Sequence, residues 1–250
     1  MAIKGVFFDL YGTLLKYDDL QASWADWQAA FYEQLTACGL SMSRASFEER
    51  CDGFFASPAP LVRDDGLTVF ERRIEALGVE LGLHLSELEI EKTADVSVGA
   101  WQAHVSLDPD AHDVLKTLRA SRRLALISNF EHPSHVYVIL ARFGLVGLFD
   151  TIIVSGDVGV EKPDPRIFDL ALGRTGLQAR EVVYVGDSPE DVEGALAAGL
   201  CPILIRRSGI GEEPAAADSW GGHTSLDERG LGGVETVSRL TELVGRFGKA

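Results

Sequence analysis

Ile3-Lys4-Gly5-Val6-Phe7-Phe8-Asp9-Leu10-Tyr11-Gly12-Thr13 begins as a β-rich apolar run and breaks at a carboxylate followed by a glycine. Runs of the same kind recur at Leu124–Ile127, Ile152–Val154, Val182–Val185 and Ile203–Ile205. They are nearly continuous rather than alternating, which is the pattern of strands covered on both faces. Helical patterns lie between them. Asp110–Leu118 places Ala111, Val114, Leu115 and Leu118 on one stripe. Pro133–Phe143 and Pro165–Leu172 open on prolines suited to a first helical turn. Pro189–Ala198 turns Val192, Ala195 and Leu196 inward, with Gly199 as its stop. Strands alternating with helices predict a doubly wound, parallel-sheet α/β domain. A Gly- and Ala-rich loop beyond Arg207, running through Gly221 and Gly233, precedes a final helix near Val234–Phe247.

Residues 17–105 break this rhythm. Trp24, Trp27, Phe31 and Leu35 recur at spacings of three and four, as do Leu67, Phe70, Ile74 and Leu77. Ser86-Glu-Leu-Glu89 has the form of a capping box opening a further helix. The reading is a bundle of about four helices, 17–105, inserted into an α/β core of 1–16 and 106–250. Its aromatic stripe reads as core packing rather than a ligand cage.

Composition limits the partners. The chain has 250 residues, of which 46% are apolar and 24% charged, as in ordinary globular proteins. The formal charge is −15, from 23 Lys and Arg against 38 Asp and Glu. Such a surface repels nucleic-acid phosphates and anionic lipid headgroups, so neither nucleic acid nor membrane is an expected partner. An anionic substrate would need a local cation to overcome that field. The three cysteines, Cys38, Cys51 and Cys201, form no CxxC pair and read as buried free thiols. Asp9 interrupts the first apolar run before a signal-peptide core can form, and no stretch reaches the ~18 apolar residues of a membrane span, so a cytoplasmic protein is expected.

The chemistry-bearing residues sit where strands end. The first run stops at Asp9, the second at Ser128-Asn129, and the fourth at Gly186-Asp187-Ser188-Pro189-Glu190-Asp191. Lys162 precedes a helix start in Val160-Glu-Lys-Pro-Asp-Pro165. Taken singly, these residues have ordinary readings: Asp and Ser cap helices, and a lone lysine is solvated. Taken in order, they converge just outside the carboxyl ends of parallel strands, where open sheets bind ligands.

In these motifs the chain resembles the haloacid dehalogenase-like hydrolases, over residues 3–15 and 108–207. The resemblance implies a Rossmann-like core, with the helical insert as a C1-type cap. It implies a covalent reaction in which Asp9 is the nucleophile. Ser128, Asn129, Lys162 and Thr13 would hold the transferred group. Mg²⁺ would bind Asp9, Asp187 and the main-chain carbonyl of Tyr11. Asp191 would orient Lys162 or a metal-bound water. Lys162 and the cation would then answer the charge problem of a small anionic metabolite meeting an acidic protein.

One position departs from the family's phosphatases, which place a second aspartate two residues after the nucleophile as acid and base. Here that position is Tyr11. A phenol of ordinary pKa ~10 is a poor base at neutral pH, and a lost acid–base group typically costs about 10²- to 10⁴-fold. Leaving groups that need no proton, such as acyl or aryl phosphates, would suffer least. The Asp-x-Tyr-Gly-Thr motif resembles that of the L-2-haloacid dehalogenases, where halide departs unprotonated. Against that branch stands Asp187, an extra carboxylate that would blunt Asp9 unless a cation binds. No arginine occurs near Leu40, the expected halide-receiving position; Arg44 and Arg50 are the alternatives. Phosphonoacetaldehyde hydrolases need a cap lysine, for which only Lys16 and Lys92 are available. A degenerate domain that binds a ligand without turnover is the non-enzymatic alternative. The preferred reading is a Mg²⁺-dependent hydrolase of a small phosphorylated metabolite. His132 and His135, beside Glu131, read as capping or surface residues, and Gly209-x-Gly211 as a turn. Trp24, Trp27, Arg44 and Phe54 are the candidate specificity residues of the insert.

Overall fold

The computed structural model describes residues 2–60, 66–207 and 233–248. The Gly-rich stretch through Gly221 and the Gly209-x-Gly211 turn lie outside them. In chain order the elements are β1 (Gly5–Phe8), β2 (Leu15–Tyr17), α1 (Leu20–Ala37), α2 (Arg44–Cys51), α3 (Val69–Glu80), α4 (Glu87–Gln102) and β3 (Val105–Leu107). Then follow α5 (Ala111–Arg119), β4 (Arg123–Ser128), α6 (Pro133–Arg142), β5 (Thr151–Val154), α7 (Ser155–Val158), α8 (Pro165–Thr175), β6 (Val182–Gly186), α9 (Pro189–Ala197), β7 (Cys201–Ile205), β8 (Glu235–Val237) and α10 (Thr241–Phe247). These residues divide into two compact units, with crossing points at 16/17 and 106/107.

The α/β unit is one sheet in the order β5-β4-β1-β6-β7-β8, parallel throughout. β1 lies between β4 and β6, in register Phe8↔Leu126 on one side and Phe8↔Val185 on the other. Every residue of β1 and β6 is buried, as strands with helices on both faces require. On one face Phe7, Ala125, Ile127, Ile153 and Tyr184 pack against Ile167, Phe168, Ala171 and Leu172 of α8 and Ala195 of α9. Val6, Phe8, Leu124 and Leu126 alternate to the other face, and all are fully buried. Fully burying such side chains stabilises by roughly 1.5–3 kcal/mol each. With all strands parallel, their carboxyl ends share one edge, and the site residues collect there.

The chain end differs from expectation. Val234–Phe247 is not one helix: Glu235–Val237 forms β8, paired with β7, and only Thr241–Phe247 is helical. The β-branched Thr236 and Val237 extend the open edge beside β7, and tertiary pairing overrides the weak helical pattern.

The inserted unit is helical, with α1 packed along α4, and α3 also on α4. Ser86 and Glu89 make the expected capping box, and Thr68 with Glu71 makes a second at α3. Trp27, Phe31 and Leu35 are fully buried. Trp27 is the hub, stacked on Trp24 (4.8 Å between ring centres) and tilted against Phe31, Phe54, Phe55 and Phe70. The stripe is core. The segments Leu15–Tyr17 and Val105–Leu107, absent from the sequence expectation, pair with each other as a two-stranded ribbon. Among the described residues, no helix is long and apolar enough to cross a membrane.

Candidate active site

Asp9 is the first residue beyond β1, and its N–H donates to Val185 O of the neighbouring strand (2.9 Å). Ser128 ends β4 and Gly186 ends β6, so the three strand ends bring Asp9, Ser128-Asn129 and Asp187 to one edge. Lys162 arrives from the segment joining α7 to α8, and the Asn129 side chain brackets its peptide. Lys162 N–H donates to Asn129 Oδ1 (2.8 Å), and Asn129 Nδ2 donates to Lys162 O (3.0 Å). The lysine is buried, not solvated. Its ammonium lies 2.6 Å from Asp9 Oδ1, 2.6 Å from Asp191 Oδ1 and 3.2 Å from Tyr184 Oη.

Asp191 is aimed by the start of α9. Ser188 is the N-cap, Pro189 takes the first turn, and Ser188 and Asp191 form a capping box. Asp191 Oδ2 accepts from the N–H of Asp187 (3.1 Å), the N–H of Ser188 (3.0 Å) and Ser188 Oγ (2.9 Å). Oδ1 accepts from Lys162 and from Tyr184 (2.9 Å). Asp191 thus holds Lys162 through a carboxylate whose lone pairs are already engaged.

The two buried carboxyls differ electrostatically for that reason. Burial raises both. At Asp191 the Lys162 ammonium, the Ser188 N–H and the Tyr184 hydroxyl more than offset it, and its carboxyl lies below the ordinary value. At Asp9 burial prevails over Lys162, and the Asp191 charge adds to it, lifting the carboxyl to about 6. The Lys162 ammonium is held charged: burial disfavours it, but Asp191 and Asp9 outweigh that penalty.

Asp9, Asp187 and Asp191 each offer a carboxylate oxygen, and these oxygens lie within 4.8 Å of one another. Two observations say which of them suit a divalent cation. Among the described residues, Asp9 Oδ2 is buried without a hydrogen-bond partner, whereas Asp191 is saturated. Asp187 is half-buried, and its Oδ1 accepts from Thr13 Oγ1 (3.1 Å). The donor set, few carboxylates near a main-chain turn, suits a hard cation that keeps its waters. The cradle has no spare room: a Cβ on Gly12 would fall 1.9 Å from Asp187 Oδ2, and one on Gly186 would fall 2.3 Å from Asp191 Cγ.

Tyr11 is buried, with its ring stacked on Phe130 (5.1 Å, 21°) and Phe130 stacked in turn on His135 (5.9 Å). Burial and the Asp9 charge push its phenol far above the ordinary value, so it stays neutral. His132 and His135 are both buried, which corrects the surface half of the capping-or-surface reading, while His132 stands at the N-cap position of α6; neither belongs to a group of three or more metal-capable side chains among the described residues. Thr13 turns its hydroxyl to Asp187. Of the candidate specificity residues in the insert, Trp27 is core, Phe54 packs on it, Trp24 stacks on it, and Arg44 pairs with Glu48 on the surface (2.7 Å).

Sequence reasoning missed four participants. Tyr184 sat inside an apolar run and read as core, although a buried tyrosine hydroxyl needs a partner. Ser188-x-x-Asp191 has capping-box spacing, a signal that was present. Phe130 follows Ser128-Asn129 with no signal of its own. Arg207, two residues after β7, pairs with Asp108 (2.9 Å) and donates to the carbonyls of Gly12 and Thr13, pinning the turn after Asp9.

A sequence model of haloacid dehalogenase-like hydrolases matches residues 3–199. The chain is 28% identical over 246 residues to the ribulose-1,5-bisphosphate 5-phosphatase of Halopiger xanaduensis, spanning 96% of this chain and 98% of that protein. It is 31% identical over 219 residues to the phosphoglycolate phosphatase of Yersinia pseudotuberculosis, spanning 87% of each. Among solved structures, a 2-haloacid dehalogenase from Pseudomonas syringae pv. Tomato shares the fold, with a TM-score of 0.61 at 23% identity over 97% of both chains.

Proposed function

The chain belongs to the haloacid dehalogenase-like hydrolases, and from that premise we propose that it hydrolyses a small phosphorylated metabolite by covalent attack from Asp9, with Mg²⁺ as cofactor. The observation that carries this reading is the pairing of Asp187 with Asp9 across adjoining strand ends, beside a buried ammonium. Uncompensated, a second carboxylate there would oppose attack by the first. The full-length relatives named above are phosphatases of phosphorylated metabolites, in keeping with that class of substrate.

In the proposed reaction an Asp9 carboxylate oxygen attacks phosphorus, forming an O–P bond while the bond to the leaving oxygen breaks. Water then attacks phosphorus, the Asp9 O–P bond breaks with its electron pair returning to the Asp9 carboxylate, and both protons of the water leave with the departing dihydrogen phosphate. Mg²⁺, held by Asp9, Asp187 and the Tyr11 carbonyl, would supply positive charge against the repulsion of these anions. Lys162 offsets the remaining charge and orients Asp9. Asp191 keeps Lys162 in place. Ser128 and the Asn129 main chain hold the transferred group. Thr13, expected to help hold the transferred group, also donates its hydroxyl to Asp187 and steadies that carboxylate.

Tyr11 narrows the substrate class. A neutral phenol locked in a ring stack, with its acidity further suppressed, can donate a hydrogen bond but cannot give its proton to a leaving oxygen as a carboxylic acid would. Substrates whose leaving oxygen departs without protonation, acyl or aryl phosphates, are favoured. The same residue supports the second reading, halide release from a 2-haloacid. Turnover of p-nitrophenyl phosphate, acetyl phosphate and 2-chloropropionate by wild type and Asp9→Asn separates the two. Phosphate release lost in Asp9→Asn is expected; halide release alone overturns the phosphatase reading.

A further inference from the structure

An ammonium carries three N–H bonds, and Lys162 Nζ has three acceptors around it. Two are the carboxylates of Asp9 and Asp191, each at 2.6 Å. They fix a line, about which the ammonium can still turn. The third is the neutral hydroxyl of Tyr184, at 3.2 Å. That hydroxyl also lies 2.9 Å from Asp191 Oδ1 and 3.3 Å from Ile127 O, so it reaches from β6 across β1 to β4. Tyr184 is fully buried, its ring edge-on to Phe168 at 4.9 Å and 79°. The hydroxyl therefore has a fixed place.

We propose that Tyr184 is a positioning residue: its hydroxyl is the third point that fixes Lys162 Nζ and Asp191 together, keeping the ammonium aimed at Asp9 and the group it attacks. It touches no reacting atom. Its effect passes through Lys162, whose stem alone has four rotatable bonds. The proposal rests on Asp9 as the nucleophile, and it applies whether Asp9 attacks phosphorus or carbon.

The test compares wild type, Tyr184→Phe and Tyr184→Leu for kcat and KM on p-nitrophenyl phosphate with Mg²⁺, and on 2-chloropropionate. Tyr184→Phe keeps the ring against Phe168 and removes only the hydroxyl. Its kcat should fall about tenfold or more with KM near that of wild type, while the protein stays folded, its melting temperature lowered only as loss of one buried hydrogen bond requires. A purely structural tyrosine would leave the Phe variant at the wild-type kcat and impair only the Leu variant; that result overturns the proposal. A wild type that releases halide and no phosphate removes the phosphatase reading, and Tyr184 is then judged on the halide kcat. If wild type turns over neither substrate, the ¹⁵N resonance of the Lys162 ammonium decides. A slowly exchanging signal that Tyr184→Phe abolishes supports the proposal, and the same signal in both proteins overturns it.

Discussion

The carboxamide of Asn129 brackets the peptide unit of Lys162, accepting from its N–H at 2.8 Å and donating to its carbonyl at 3.0 Å. A residue one step past β4 thereby sets the height at which the lysine enters the site. Asn129→Ala removes both bonds, each contributing about 0.5–1.5 kcal/mol to stability. A displacement of about 1 Å at a reacting group can lower turnover about 10²-fold. The variant should stay folded in urea titrations and lose that much kcat. Full activity in a folded Asn129→Ala protein would show that Lys162 needs no such bracket.

In the proposed reaction Tyr11 stands where the resemblance to the family's phosphatases implies an acid–base carboxylate. Tyr11→Asp should raise the rate on an alkyl phosphate such as glycerol phosphate, within the ~10²- to 10⁴-fold typical of general acid–base catalysis. The rate on p-nitrophenyl phosphate, whose leaving group needs no proton, should change little. The ratio of the two rates is the readout. An unchanged ratio would mean that the ring wall of Tyr11 and Phe130, not a missing proton donor, limits the reaction.

Gly12 has φ of +87°, and a Cβ there would lie 1.9 Å from Asp187 Oδ2. Both facts oppose any side chain. Gly12→Ala should cost about 1–3 kcal/mol from backbone strain and displace Asp187 from Asp9. Denaturant midpoints and Mg²⁺-dependent turnover should fall together. A stable, active variant would contradict the described contact.

The cysteines offer a test of the helical unit. Burial pushes the Cys51 thiol from 9.0 up to about 12, with Asp52 and Glu48 adding to the shift. Cys201 is exposed. Iodoacetamide at pH 8 should label Cys201 in the native protein and Cys51 only after denaturation. The folded state holds the Cys51 proton where the unfolded chain has released it, so this group's contribution to stability declines as pH rises from 9 towards 12. Rapid native labelling of Cys51 would contradict its burial.

Much of the sheet was legible because each internal strand is a short, unbroken apolar run ending on a polar residue. Val182–Val185 before Gly186-Asp187 is the clearest case. β8 was not legible: Glu235–Val237 becomes a strand only because β7 presents an open edge. The candidate site residues come from four motifs at βα junctions, and the fold brings Asp9, Asn129, Lys162, Asp187 and Asp191 to one sheet edge, but their wiring had no sequence signal. Nothing in the sequence places the Thr13 hydroxyl on Asp187, the Asn129 side chain on a peptide 33 residues away, or the Tyr184 hydroxyl on Lys162. Those links are set by strand order, and a side chain's reach across neighbouring strands has no linear signature. Lys162 shows the gap best: alone it reads as a solvated cation, and only the carboxylates that the fold gathers make its burial tolerable.

The most direct test measures p-nitrophenyl phosphate hydrolysis against Mg²⁺ concentration, after EDTA treatment, in wild type and Asp187→Asn. Activity of the wild type should be abolished by the chelator and restored to saturation by Mg²⁺. Asp187→Asn should need far more Mg²⁺ for any activity, because one of the two carboxylates proposed to hold the cation, Asp9 and Asp187, has lost its charge. Turnover that survives EDTA, or an Asp187→Asn enzyme with the wild-type Mg²⁺ response, would contradict a cation between these strand ends.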